Sequence, residues 1–218
     1  MVPGSDHIAE LKADYRKKRR VIVQRLAEFR AVYDKGDQAI FEELCFCILT
    51  AGSSARMGFR TIAALRDILL TGTEKDLQAR AGEHRVRFWR LRPSYIYCTR
   101  EHLKQACGLK LRELLDSLPD PQARRDYFAK NKAIKGLGYK ESSHFLRNIG
   151  FRGYAILDKH IVNSLREMGV ISKRLTPVTR KGYLAIEKKL AAFARDIGID
   201  MDHLDLLLWS RKTGEILK

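Results

Sequence analysis

Apolar residues recur at spacings of three and four along most of the chain, and strand-like alternation is scarce. That periodicity predicts an all-α protein. The first segment, residues 6–33, carries Ile8, Leu11, Tyr15, Ile22, Leu26 and Phe29 as its apolar positions. The run "RKKRR" from Arg16 to Arg20 lies inside it; five successive residues wrap around a helix, so a solvated surface is expected rather than one flat basic face. A second helix is expected over 37–50, with Phe41, Leu44, Cys45 and Ile48 on its buried side. In the following turn, "TAGSSARMG", Ser53 or Ser54 can cap the next helix by accepting its free backbone N–H groups. "EKDLQAR" and "REHLKQA" predict further helices around a basic aromatic stretch, "RVRFWRLRPSYIY", to which the pattern assigns no element.

The punctuation sharpens at "SLPDPQARRDYFAKN". Asp120 suits an N-cap, and Pro121 fits the first helical position, where its missing N–H costs no bond; this helix should run to about Asn131. After "IKGLG" another helix is expected over 139–149, with Phe145, Leu146 and Ile149 inward and Gly150 ending it. Asp158 heads a helix from Lys159 to Met168, closed by Gly169. Near the C-terminus Leu204, Leu207 and Leu208 read as the core side of a last helix, with Trp209 near its end.

Charge narrows the function. The 218 residues include 42 Lys and Arg against 26 Asp and Glu, a formal charge of +16. A basic surface binds a polyanion by releasing condensed counterions, so nucleic acid is the favoured partner, with solubility or anionic lipid as the alternative uses of such charge. No run of about 18 apolar residues is present to span a bilayer, and no charged-then-apolar leader opens the chain. The cysteines, Cys45, Cys47, Cys98 and Cys107, lack paired C-x-x-C spacing and read as reduced core thiols. None follows Cys107, which excludes a C-terminal four-cysteine cluster loop, so a metal centre is not expected; no organic cofactor is expected either.

In "IKGLG", Ile134 and Leu137 can point inward while Gly136 and Gly138 supply unusual dihedrals and bare backbone. The N–H groups of such a turn and the positive end of the helix beginning near Tyr139 form a natural anion pocket, with Lys130, Lys132 and Lys135 beside it. Taken alone, a G-x-G of this kind is better read as a tight turn between two helices that needs glycine only for its geometry. Between two well-delimited helices in a basic protein it resembles the helix-hairpin-helix DNA-binding element, which implies grip on phosphates and no chemistry by itself.

Lys140, two residues past the second glycine, and Asp158, at a helix start eighteen residues on, add the chemistry. This spacing resembles that of the helix-hairpin-helix base-excision DNA glycosylase superfamily. Through "GLGYKESSHFLRNIG", "AILDKHI" and "MDHLDLLLWSRKTGEILK" the chain is similar in particular to the archaeal and thermophile-type 8-oxoguanine DNA glycosylase/lyases. The resemblance implies a two-lobed all-α fold in which Lys140, as a neutral amine, attacks the anomeric carbon of a flipped nucleotide and forms a Schiff base. It implies that Asp158 stabilises the charge developing on the sugar. It further implies that Trp209 stacks on the damaged base, that the terminal Lys218 takes part in its recognition, and that His160 contacts phosphate. Gly136, Gly138, Lys135, Ser53, Ser54 and Arg87 are the expected DNA contacts, with Phe88 and Arg92 as further candidates to track the backbone or fill the gap left by flipping.

The expected organisation is one glycosylase unit over 1–218, with a hairpin-bearing lobe over 47–156 and a terminal lobe from 1–46 and 157–218, Lys140, Asp158 and Trp209 sharing the cleft. The expected partner is double-stranded DNA carrying an oxidised guanine, bound by a monomer in a prokaryotic cytoplasm, without a membrane. Two alternatives stay open: a glycosylase for another oxidised or alkylated base, and a non-catalytic helix-hairpin-helix DNA-binding module.

Overall fold

The computed structural model describes the backbone of residues 5–84 and 87–217, and side chains from residue 7 onward within those ranges. Among the described residues there are eleven helices and no strand: α1 Ser5–Asp34, α2 Asp37–Thr50, α3 Ala55–Leu65, α4 Glu74–Glu83, α5 Leu91–Cys107, α6 Leu111–Ser117, α7 Pro121–Lys130, α8 Tyr139–Asn148, α9 Lys159–Glu167, α10 Arg180–Ile197 and α11 Met201–Thr213. The all-helical expectation is met. The helix starts follow local chemistry: Asp120, Asp158 and Ser54 accept bonds from backbone N–H groups of α7, α9 and α3. Thr73 and Asp76 close a reciprocal capping box on α4. The basic aromatic stretch resolves into a turn over 87–90 followed by α5.

The chain divides into two compact units, one of residues 1–29 with 150–218, the other of residues 30–149. The expected lobe boundaries near 46/47 and 156/157 therefore move to 29/30 and 149/150. Helix α2 is the reason. Ten of its fourteen residues are buried, Glu43 among them, so it lacks the single inward face expected of it and forms the centre of the 30–149 unit, packed on α3, α5, α6 and α8. Gly58 permits the α2–α3 approach: a Cβ there would lie 2.3 Å from Thr50 Cγ2 and 2.9 Å from Phe46 Cε2. Glu43 is satisfied by Asn148 of α8, whose Nδ2 donates to Glu43 Oε1 at 2.7 Å, while buried Arg147 donates to Asn148 Oδ1 at 3.2 and 3.3 Å.

In the other unit α1 buries Leu11 and Ile22, and α9, α10 and α11 contribute Leu165, Ile186, Leu190, Leu204 and Leu207, all at most 1% exposed. In "RKKRR", Arg16, Lys17, Arg19 and Arg20 are exposed, while Lys18 donates to Ser210 Oγ at 3.0 Å. No disulfide joins the four cysteines; Cys45 and Cys47 are buried, but Cys98 is exposed and Cys107 partly so, which corrects the expectation of four core thiols. Cys98 lies on the solvent side of α5, where the neighbouring Thr99 and Arg100 take the inward positions. No described helix is long and apolar enough to cross a membrane.

Candidate active site

The hairpin between α7 and α8 belongs to the 30–149 unit. Ile134 and Leu137 are buried, as the pattern requires, and the helices are locked by Phe128 against Phe145, with ring centroids 4.9 Å apart. Asp126 adds polar closure, accepting from Tyr139 Oη at 2.8 Å and from Lys130 Nζ at 2.6 Å. Lys130 stands in an ion pair with its side chain 54% exposed, and Lys132 and Lys135 add further exposed charge beside the turn.

The two glycines do different work. Gly136 has φ +78°, and a Cβ on it would lie 2.8 Å from Tyr95 Cδ2 and 3.3 Å from Ile48 Cγ2, so both dihedral and space demand glycine. Gly138 has φ −102° and ψ −166°, extended backbone open to any residue, which corrects the expectation of unusual dihedrals at both positions. What Gly138 supplies is bareness. It is the N-cap of α8 and provides no side-chain cap, so the positive end of that helix is left to backbone N–H groups.

Lys140 is the second residue of α8, its side chain 27% exposed, and its Nζ lies 3.3 Å from Glu141 Oε1. Sequence reasoning did not single out Glu141; a carboxylate in the first turn of a helix is commonplace, and only the pairing distinguishes it. The turn after α2 and the 87–92 segment are tied together in the same unit. Arg87 Nη1 donates to Gly52 O at 3.0 Å, and Arg92 donates to Leu49 O. Ser54 is the cap of α3, accepting from Met57 N at 3.2 Å, and Ser53 N donates to Thr50 O at 2.9 Å. Phe88 stands at φ +61° and is 48% exposed, with the Arg87 and Arg92 guanidinium carbons 4.7 and 5.1 Å from its ring centroid. Burial lowers the pKa of Arg92, nearby Arg87 lowers it further, and the Glu141 carboxylate opposes both.

Asp158, His160 and Trp209 belong to the other unit. Asp158 is half-buried and caps α9 with one oxygen, Oδ1, which accepts from His160 N at 2.8 Å and Ile161 N at 2.9 Å. The segment leading to it, residues 151–157, has no regular secondary structure, and side chains of α10 and α11 take up its backbone N–H groups. Gly153 N donates to Asp202 Oδ1, Ala155 N to Glu187 Oε2 and Ile156 N to Asp205 Oδ1, each at 3.0 Å. Tyr183 Oη donates to Ala155 O at 2.6 Å and accepts from Leu157 N at 3.3 Å. These side chains fix the backbone that delivers Asp158, since a buried N–H must find an acceptor. A sequence signal existed: Asp202 and Asp205 interrupt the apolar run of α11 at helical spacing, and both are buried.

Leu204, Leu207 and Leu208 are buried as expected, and Trp209 is half-buried. Lys218 lies outside the described residues. Among the described residues no group of three or more His, Cys, Asp or Glu side chains is arranged to hold a metal ion.

A family model described as 8-oxoguanine DNA glycosylase matches residues 22–199. A protein of Korarchaeum cryptofilum named 8-oxoguanine DNA glycosylase/AP lyase is 38% identical over 200 residues, spanning 92% of this chain and 91% of its own. A Fusobacterium nucleatum protein of the same name is 34% identical over 218 residues, spanning 98% and 99%. Among solved structures, the Methanocaldococcus jannaschii 8-oxoguanine glycosylase/lyase in complex with 15mer DNA containing 8-oxoguanine matches with a TM-score of 0.88 at 32% identity, over 97% of this chain and 99% of that one. The glycine hairpin, the lysine that follows it and the capping aspartate thus stand in a chain that belongs to the 8-oxoguanine DNA glycosylase family.

Proposed function

We propose that this protein excises 8-oxoguanine from double-stranded DNA and cleaves the strand at the resulting site, with Lys140 as nucleophile and Asp158 as the carboxylate that stabilises the departing charge. The observation that carries this reading is the position of Lys140 in the first turn of α8, directly after a glycine hairpin that leaves the helix N-terminus bare. Backbone N–H groups there suit a phosphate, and the partly exposed amine beside them suits the sugar that phosphate carries.

The target nucleotide must leave the duplex before an amine can reach its anomeric carbon. The neutral Nζ then bonds to C1′ as the C1′–N9 bond breaks, and the base departs with that electron pair. Opening of the sugar ring gives a Schiff base, from which β-elimination severs the strand. Asp158 keeps Oδ2 for this work while Oδ1 caps α9. Trp209 offers a stacking face for the flipped base, and Lys218 takes part in its recognition. Oxidation at the eight-position turns an acceptor nitrogen of guanine into a donor, so discrimination requires an acceptor at that point. Gly136, Gly138, Lys135, Ser53, Ser54, Arg87 and His160 hold the DNA, and the protein acts as a monomer in the cytoplasm.

The test is reaction with a duplex carrying 8-oxoguanine in the presence of borohydride, which reduces a Schiff base to a stable covalent adduct. Wild type is expected to form the adduct and Lys140→Gln to form none. Absence of adduct with wild type sinks the lyase reading; an undiminished adduct with Lys140→Gln removes Lys140 as nucleophile. Deletion of Lys218 should slow excision of 8-oxoguanine, and an unchanged rate excludes the tail from base recognition.

A further inference from the structure

Adjacent residues on a helix point about 100° apart and do not normally meet. Lys140 and Glu141 nevertheless do: Nζ and Oε1 are 3.3 Å apart, and both side chains are largely covered, 27% and 19% exposed. The Glu141 side chain folds back over the start of α8, its Oε2 lying 3.5 Å from where a Cβ on Gly138 would stand. One carboxylate oxygen therefore faces the lysine amine and the other faces the bare glycine of the hairpin. Arg92, buried and tethered to Leu49 O, is near enough for the Glu141 charge to act on it. The carboxylate thus has two cationic neighbours, and the lysine amine has a proton acceptor in contact.

We propose that Glu141 is a catalytic residue that carries the proton from Lys140 Nζ to the deoxyribose ring oxygen, the step that converts the first covalent adduct into a Schiff base. This rests on Lys140 being the nucleophile. When the neutral amine bonds to C1′ and the base leaves, Nζ holds two hydrogens and a positive charge. A Schiff base requires one of those protons to leave and the ring oxygen to gain one. Glu141 accepts the proton from Nζ, then releases it to O4′ as the nitrogen lone pair forms the C1′=N bond and the C1′–O4′ bond breaks. The products are a ring-opened 4′-hydroxyl, a protonated imine on Lys140 and a carboxylate returned to its starting state. No other reactant is consumed. Bond formation at C1′ and loss of the base precede this transfer, so Glu141 acts after excision and before strand cleavage.

The test separates those two stages in one single-turnover time course on an 8-oxoguanine duplex. Free base is measured directly, and the Schiff base is measured as borohydride adduct and as nicking without alkali. Glu141→Gln keeps the shape of the side chain but cannot shuttle a proton. It should release base within about threefold of the wild-type rate while adduct formation and nicking fall about 100-fold, the lower range for loss of a positioned acid–base group. The unopened adduct has no imine for borohydride to reduce, so base release without trapping is its signature. Glu141→Asp retains a carboxylate and should recover part of the trapping rate. Base release and trapping that decline in step in Glu141→Gln, as a merely structural role would give, overturn the proposal; so does trapping at the wild-type rate, or Glu141→Asp no better than Glu141→Gln. Lys140→Gln is run alongside: a persistent adduct there defeats the nucleophile assignment itself, whereas loss of adduct there with normal trapping in Glu141→Gln defeats only the role of Glu141.

Discussion

Replacing each hairpin glycine by alanine should separate folding from DNA binding. At Gly136 the backbone has φ +78°, a left-handed conformation that costs an L-residue about 1–2 kcal/mol. The new methyl would also stand 2.8 Å from Tyr95 Cδ2, a ring carbon held between helices, and forcing extra volume into such a contact costs roughly 1–3 kcal/mol. Together these give a loss of about 2–5 kcal/mol in the 30–149 unit. At roughly 2–4 °C per kcal/mol for a chain of this size, Tm should fall by about 4–20 °C. Gly138→Ala meets neither obstacle, because φ is −102° and the nearest atom, Glu141 Oε2, is 3.5 Å away. Its stability should change by less than about 1 kcal/mol, in the stabilising direction if reduced freedom of the unfolded chain dominates. The methyl would nevertheless cover the bare start of α8, so affinity for an undamaged duplex should drop. Thermal unfolding and fluorescence anisotropy at fixed salt read the two effects. A Gly136→Ala protein that melts with wild type, or a Gly138→Ala protein that is the less stable of the two, would refute the division of labour.

Three further outcomes follow from the geometry. Asp205→Ala leaves the Ile156 N–H without its acceptor, at about 1–3 kcal/mol for a buried donor, and should slow excision more than it weakens lesion binding, because Asp158 lies two residues on; Asp205→Asn, which keeps an acceptor oxygen, should lose less. Burial holds the pKa of His203, partner of Tyr15 Oη at 2.9 Å, below the ordinary value of about 6.5. The unfolded chain therefore takes the proton first, so the stability of the 1–29 and 150–218 unit is full above about pH 6.5 and declines as pH falls below it; His203→Gln should flatten that decline in urea titrations across the range. Phe88→Gly removes a left-handed aromatic residue that is 48% exposed, so Tm should hold or rise, while affinity for lesion-bearing duplex should weaken by about 1–3 kcal/mol if the ring stacks on a base; unchanged affinity would exclude that contact.

The sequence by itself determined that the chain is helical and where several of its helices begin and end, because those features depend on neighbours in the chain, whereas α6 and α10 carried no punctuation that singled them out. Asp120 and Pro121 start α7, Asp158 starts α9, Gly150 and Gly169 follow helix ends with φ of 92° and 72°, and Ile134 and Leu137 face inward, each legible from a few adjacent positions. Tertiary structure decided what depends on residues distant in sequence or on rotamers. Ten of the fourteen residues of α2 are buried because α3, α5, α6 and α8 pack around it, and that places α2 in the unit that begins at residue 30. The irregular run before Asp158 needed acceptors from α10 and α11, about 30 to 50 residues away; the carboxylates in the apolar run of α11 hint at buried acceptors, but nothing local names the N–H groups they serve. The Lys140–Glu141 pair is adjacent in sequence yet was equally invisible, because helical geometry separates neighbouring side chains and only packing over the bare start of α8 bends the two together.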